Sequence, residues 1–170
     1  MTQIYQGLSE TAVRRSAATY FQQHVHPNFF PDMVALVHRL ISEGVQVWAV
    51  SSTNNWMIEE GVREMNILPE RVLAAAVIVE EDRITGTLIH VPSDEGKAEA
   101  LRRVGLHRPD VVFGNSVHDL AMLQMAARPF PVNPSDELVR RSAELGWPVY
   151  YPVAKHPSGE LRAAPAPNSV

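Results

Sequence analysis

The sequence contains no cysteine, which excludes disulfide bonds, thiolate metal sites and a cysteine nucleophile. It also has no basic excess, because 19 acidic residues outnumber 15 lysines and arginines and give a net charge of -4. A nucleic-acid-binding module carries a basic patch or stripe, so we expect no nucleic-acid partner. Apolar runs such as residues 72–79 are too short to cross a bilayer, and residues 1–10 lack the regions of a signal peptide. We therefore expect a cytoplasmic protein with no membrane partner.

Three widespread site motifs are also missing from the sequence. It contains no G-x-G-x-x-G dinucleotide motif, no P-loop and no G-x-S-x-G nucleophile elbow. What remains is a chain of 170 residues, 45% of them hydrophobic, which suits one domain with one core.

From residue 32 onward, predicted helices and strands alternate along most of the chain. This order predicts an α/β fold with a parallel sheet covered by helices on both faces. Residues 80–83 form a charged turn between two apolar runs and predict a β-hairpin. Ser93 and Ser135 are predicted to cap the helices that follow them. The predicted strands are 45–50, 72–79, 84–91, 111–113 and 149–153, and the first predicted helices are 11–25 and 32–43.

Polar residues follow two of the predicted strands and begin one helix. Ser51 and Ser52 follow the first strand, Lys97 lies in a first helical turn, and residues 114–119 follow strand 111–113. Ligands of open α/β sheets bind beyond the carboxyl ends of strands, and serine hydroxyls, helix N-termini and a lysine suit a phosphate group. Carboxylates there would hold Mg²⁺. Each feature has a simpler explanation. The serines can be ordinary turn residues, the lysine can be a solvated helix residue, and Ser116 with Asp119 can form a capping box at a helix start.

Four segments together resemble the haloacid dehalogenase-like (HAD) hydrolases, in their phosphoserine-phosphatase-like branch. The resemblance covers about residues 5–150 and implies a Rossmannoid α/β/α three-layer fold with a parallel sheet, a β-hairpin and the remnant of a helical cap. The segments are VQVWAVSSTNNWMIEEGV (45–62), DRITGTLIHVPSDEGKAEAL (82–101), DVVFGNSVHDLAML (110–123) and FPVNPSDELVRRSAELGWPV (130–149).

The resemblance implies a Mg²⁺-dependent phosphomonoester hydrolase that acts on small phosphorylated metabolites. In such enzymes an aspartate of a D-x-D-G-T motif attacks phosphorus, and Mg²⁺ and a lysine stabilise the charge. Carried over to this sequence, Lys97 and Asp119 are catalytic, Ser51, Ser52 and Lys97 bind phosphate, and Asp119 and Asn115 bind Mg²⁺.

The sequence departs from the family pattern in two ways. It contains no D-x-D, so the nucleophile is missing, and Asn115 stands where the family usually has an aspartate, although G-N-S-x-x-D occurs in the wider family. We therefore expect no phosphatase turnover by this chain. The alternative function is a catalytically silent domain that binds a phosphorylated ligand or a partner protein.

The resemblance also predicts a domain division. Residues 1–26 would be the remnant of the cap, 27–154 the core without its central first strand, and 155–170 a disordered tail. Unpaired strand edges cost free energy. We therefore expect one of three outcomes. The sheet closes up, or another chain fills the gap, as in a homo-oligomer. In the third, the natural product is longer than this chain, which is then a fragment or the result of a start codon assigned too late. Trp56 either lines a pocket or packs under the cap.

Overall fold

A computed structural model describes residues 2–155 and 161–163. The fold is mixed α/β with parallel strand pairs, as the alternation predicts. Within the described residues, no helix combines the length and apolarity needed to cross a membrane. The helices are α1 Glu10–Tyr20, α2 Pro31–Ser42, α3 Asn55–Arg63, α4 Glu95–Arg103, α5 Leu120–Gln124 and α6 Asp136–Leu145. The strands are β1 Ala49–Asn54, β2 Val72–Glu80, β3 Arg83–His90, β4 Val111–Gly114, β5 Arg128–Pro131, β6 Val153–Lys155 and β7 Leu161–Ala163.

The chain divides into two compact units. Unit 1 comprises Met1–Phe29 and Val34–Pro92, and unit 2 comprises Phe30–Met33 and Ser93–Val170. In unit 1, strands β1, β2 and β3 form a sheet in that order, with β1 parallel to β2 and β3 antiparallel to β2. The predicted hairpin is thus confirmed.

Strand β1 begins four residues later than predicted, at Ala49 instead of Val45. The reason is the position of its partner, because Ala49 pairs with Val72, the first residue of β2. Residues 45–48 precede that register and have no strand partner within the described chain. An apolar β-branched run has strand propensity, but only a neighbouring strand can satisfy its backbone groups. The prediction of a strand over 45–50 is therefore wrong in its bounds.

The core of unit 1 lies between α1, α3 and the hairpin. Helix α1 continues through a turn of wider π-helix, Phe21–Val25, so the predicted helix over 11–25 is confirmed. Its apolar face meets side chains of α3, β2 and β3, because residues spaced three and four apart share one face. The buried cluster consists of Val13, Ala17, Trp56, Val77 and Ile84.

In unit 2, β4 and β5 pair in parallel, and α5 packs against both of them and against α4. Ser135 caps α6 as predicted, since its side chain accepts a hydrogen bond from the amide of Leu138. The predicted cap of α4 is wrong by one residue: Asp94 occupies the N-cap position, and the carbonyl of Ser93 accepts the amide of Gly96.

The chain after α6 pairs less than the sequence suggests. Within the predicted strand 149–153, Tyr150 forms an isolated parallel bridge with Val132, and β6 begins only at Val153. Strands β6 and β7 pair antiparallel, and of these strands Lys155 and the whole of β7 lie in the predicted tail 155–170. Residues 156–160 and 164–170 of that tail lie outside the described residues, so its disorder stays a prediction.

Candidate phosphate site

Lys97 lies in the first turn of α4 and is buried, with 8% of its surface exposed. It shares a helix face with Leu101, one turn further on, and α4 packs against α5. Its ammonium Nζ donates a hydrogen bond of 2.5 Å to Oδ1 of Asp119. The alternative of a solvated helix lysine is therefore wrong, and Lys97 is half of a buried ion pair.

Asp119 ends the short 3-10 turn Val117–Asp119 that follows β4. Its Oδ2 accepts the backbone amides of Asn115 at 2.8 Å and Ser116 at 3.0 Å, and the predicted capping box is present. Only glycine fits at position 114, because a Cβ there would lie 2.7 Å from the Cβ of Asp119. The capping box and the ion pair are therefore compatible, since the Asp119 carboxylate caps the turn with one oxygen and binds Lys97 with the other.

The environment of Asp119 favours its charged form. Burial by itself raises the pKa of the carboxyl, but the hydrogen bond from Lys97 and the amides of Asn115 and Ser116 outweigh it. The net effect holds the pKa of Asp119 below its ordinary value. At neutral pH Asp119 is therefore a carboxylate, and the hydrogen bond that it accepts from Nζ holds Lys97 in one position, as a phosphate site requires.

Asn115 and Asp119 carry the hard oxygen donors that Mg²⁺ prefers. Asn115 is exposed, whereas direct coordination by Asp119 would compete with its bonds to Lys97 and two amides. The described part of the chain holds no group of three histidine, cysteine, aspartate or glutamate residues fit for a metal. The two residues fit Mg²⁺ in donor chemistry but supply only part of its octahedral shell, which water and substrate phosphate commonly help to fill.

Ser51 and Ser52 lie inside β1 in unit 1, not after the strand. Ser51 is half-buried and its Oγ accepts the amide of Thr53 at 3.1 Å, while Ser52 is exposed. A bond between the Ser51 hydroxyl and the nearby backbone is what the simpler explanation of a serine turn predicts. The structure thus brings together Lys97 and Asp119 within unit 2, and convergence of the serines on that pair stays a prediction.

Trp56 is a core residue. Only 3% of its surface is exposed, its ring meets Tyr5 edge to face, and its Nε1 donates to Glu10 of α1 at 3.0 Å. Of the two alternatives, burial against α1 favours packing under residues 1–26, the predicted cap remnant, over pocket lining.

Sequence reasoning missed a second polar pair in unit 2. Nδ1 of His118 lies 2.6 Å from Oδ1 of Asp94, the N-cap residue of α4. Asp94 lies three residues before Lys97, and His118 directly precedes Asp119. No spacing rule links positions 24 residues apart, so only the fold shows the contact.

The molecule has an α/β fold with parallel strand pairs, and the buried Lys97–Asp119 pair follows strand β4. In open α/β sheets, the region beyond strand ends is where ligands bind. A family model described as haloacid dehalogenase-like hydrolase matches residues 1–124, and the chain belongs to this family.

Known relatives agree with this assignment. A histidinol-phosphatase of Neisseria meningitidis is 27% identical over 140 residues, which cover 76% of this chain and 62% of that protein. The inhibition of morphological differentiation protein of Streptomyces azureus is 24% identical over 155 residues, 88% of this chain and 55% of its own length. The chain therefore spans about three fifths or less of these curated relatives.

Solved structures show the same fold. A protein of unknown function from Bordetella pertussis superimposes with a TM-score of 0.73 and 20% identity, covering 84% of this chain and 67% of that one. A phosphoserine phosphatase trapped as a phospho-aspartyl intermediate analogue gives a TM-score of 0.59 and 15% identity, covering 88% and 68%. The predicted HAD-like Rossmannoid fold of the phosphoserine-phosphatase-like type is thereby confirmed.

Proposed function

We propose that this chain carries the phosphate- and metal-binding part of a Mg²⁺-dependent phosphomonoester hydrolase of small phosphorylated metabolites. The observation that carries the proposal is the buried ion pair of Lys97 and Asp119 beside the end of β4. A buried ammonium held by one carboxylate retains donors for a phosphate oxygen, because an ammonium has three. In this proposal Ser51 and Ser52 also bind the phosphate.

Asn115 and Asp119 would hold the metal, which when bound neutralises charge on the phosphate. Asn115 contributes an uncharged amide oxygen, so we expect weaker Mg²⁺ binding than with aspartate at this position. The substrate is proposed as a small phosphomonoester. The names of the relatives make histidinol phosphate and phosphoserine the first compounds to test.

The 170 residues contain no D-x-D, so we propose that they bind phosphate esters without turning them over. A lysine and serines can hold a phosphate group but offer no aspartyl nucleophile. Within the described residues, β1 pairs only with β2, and β4 pairs only with β5. Each has an unpaired edge that can accept a further strand. We propose that a strand ending in D-x-D, from outside these residues, supplies the nucleophile.

The division into a cap remnant (1–26), a core (27–154) and a tail (155–170) stays part of this proposal, as do cytoplasmic location and homo-oligomer formation. A second chain is one proposed source of the strand that ends in D-x-D.

Hydrolysis of p-nitrophenyl phosphate, histidinol phosphate and phosphoserine, with and without Mg²⁺, tests the proposal. We expect the chain alone to show no turnover and an extended chain with an upstream D-x-D to show Mg²⁺-dependent turnover. Lys97→Ala in the extended chain should abolish it. Glu144→Ala, which removes an exposed ion pair of α6, is the matched control and should retain activity. Turnover by the chain alone, free of contaminants, would contradict the inactivity.

The second candidate is a silent HAD-like domain that binds a phosphorylated ligand or a partner protein. The lack of D-x-D in the sequence favours it. Saturable phosphate-ester binding by the chain, with no turnover even after extension, would support this function over the first.

A further inference from the structure

A second side-chain bond links the two segments that carry Lys97 and Asp119. Nδ1 of His118 lies 2.6 Å from Oδ1 of Asp94, and the two side chains are 67% and 62% exposed. Asp94 stands three residues before Lys97, and His118 stands directly before Asp119. The proposed phosphate chemistry uses neither residue.

The backbone of Asp94 is strained. Its dihedral angles are φ 49° and ψ -123°, and the amide of Gly96 donates to the carbonyl of Ser93 at 2.7 Å. These angles are those of the first central residue of a type II′ turn, where glycine is favoured because it has no Cβ. An aspartate keeps such a conformation only when the surrounding structure holds it.

This strained residue controls the start of α4. Asp94 is the N-cap, and its carbonyl accepts the amide of Lys97 at 3.1 Å. The conformation of Asp94 therefore sets the direction of the first helical turn, from which the Lys97 side chain leaves. On the other segment, a change in the Val117–Asp119 turn would move the carboxylate that Lys97 contacts.

We propose that Asp94 and His118 are positioning residues. Their side-chain bond holds the first turn of α4 against the turn Val117–Asp119, and this keeps Nζ of Lys97 on Asp119 and in place for a phosphate oxygen. The role toward phosphate rests on the proposed function, whereas the role toward the Lys97–Asp119 bond does not.

Asp94→Gly separates positioning from general stability. Glycine relieves the backbone strain, so we expect the urea midpoint of unfolding to stay the same or rise. Without the carboxylate, the Lys97–Asp119 contact loosens. We expect inorganic phosphate, titrated into the full chain and followed by NMR at fixed pH, to bind about threefold to fivefold more weakly, the size typical of an exposed charged pair. Amide exchange of Asn115 and Ser116, which donate to Asp119, should accelerate by a similar factor.

The other variants test the bond itself. His118→Ala should reproduce the weaker phosphate binding, and Asp94→Gly combined with His118→Ala should be no worse than either alone. Asp94→Asn keeps an acceptor oxygen and tolerates positive φ, so it should remain within about twofold of the unaltered chain. Glu144→Ala, which breaks an exposed ion pair elsewhere in unit 2, is the matched control and should change neither readout.

Unchanged phosphate binding and unchanged exchange at Asn115 and Ser116 in Asp94→Gly would overturn the positioning role. So would a fall in the urea midpoint with faster exchange throughout unit 2, which marks a merely structural residue. If the unaltered chain shows no phosphate binding that Lys97→Ala removes, the proposed function fails instead. In that case the exchange of the two amides alone decides the positioning role.

Discussion

The side chain of Asp119 accepts hydrogen bonds from a buried lysine and from its own turn. Its two oxygens accept the ammonium of Lys97 and the amides of Asn115 and Ser116, and only 5% of the residue is exposed. A buried ion pair adds little net stability, because both charges give up water on folding. Removing one partner is different, since the remaining charge stays buried without compensation. The pair therefore makes Asp119 sensitive to substitution for a reason independent of catalysis.

We expect Asp119→Ala to lower the free energy of unfolding by about 3 kcal/mol, because Lys97 is left buried and the turn loses its cap. Urea denaturation of the purified chain measures the change. Asp110→Ala, at an exposed aspartate in the same unit, is the control and should change stability by less than about 0.5 kcal/mol. Adding Lys97→Met to Asp119→Ala should recover part of the loss. Equal stability of the two aspartate variants would contradict the burial argument.

At the scale of elements, the hairpin tip of unit 1 caps helix α1. Asp82 accepts hydrogen bonds from the Ser9 hydroxyl at 2.5 Å and from the amide and hydroxyl of Thr11, both at 2.8 Å. The first amides of a helix have no partner within it, so a carboxylate there is stabilising. The bonds from Ser9 and Thr11 hold the pKa of Asp82 below its ordinary value.

Replacing Asp82 should destabilise the start of α1. Asp82 and Glu81 both have positive φ, 63° and 46°, so glycine fits both positions. We expect Asp82→Gly to lower the urea midpoint, and Glu81→Gly, the matched control, to leave it unchanged or raised. Circular dichroism with urea at several pH values measures both effects.

The difference between these variants should depend on pH. Because folding lowers the pKa of Asp82, its contribution is fully present above the unfolded value of about 3.9 and is lost as pH falls through the folded value. The unaltered chain and Asp82→Gly should therefore converge in stability as pH falls through the folded pKa of Asp82. A gap that persists there would show that the charge is not the cause.

At the scale of the whole molecule, the two units are not simple halves of the sequence. Residues Phe30–Met33 group with the second unit, although their neighbours on both sides belong to the first.

The first residues of the chain cover the outer edge of β3. The amide of Gly7 donates to the carbonyl of Ile84 at 2.8 Å, and the amide of Ile84 donates to Leu8 at 3.0 Å. This cover protects an edge strand from pairing with other chains.

Deleting residues 1–8 should expose that edge. We expect faster amide exchange over β3, beginning with Ile84, and unchanged exchange over α4, which belongs to the other unit. Mass spectrometry of exchanged peptides distinguishes the two segments. Hairpin protection equal to that of the intact chain would show that the first eight residues do not stabilise β3.

Local signals in the sequence were sufficient for several elements. The helical spacing of apolar residues predicted α1, the charged turn predicted the hairpin, and Ser135 predicted the cap of α6. These features depend on residues within a few positions of each other, where spacing and capping chemistry act directly. The start of β1 was predicted four residues early, because its register depends on where β2 begins.

By itself, the sequence determined the family, most of the helices and strands although not β5, and Lys97 and Asp119 as the residues to examine. Tertiary structure decided that Lys97 is buried against Asp119, that Trp56 packs in the core, and that Asp94 meets His118. The physical reason is that burial and long-range hydrogen bonds arise only when distant segments pack, and no local propensity encodes which side chain a lysine or a histidine will meet.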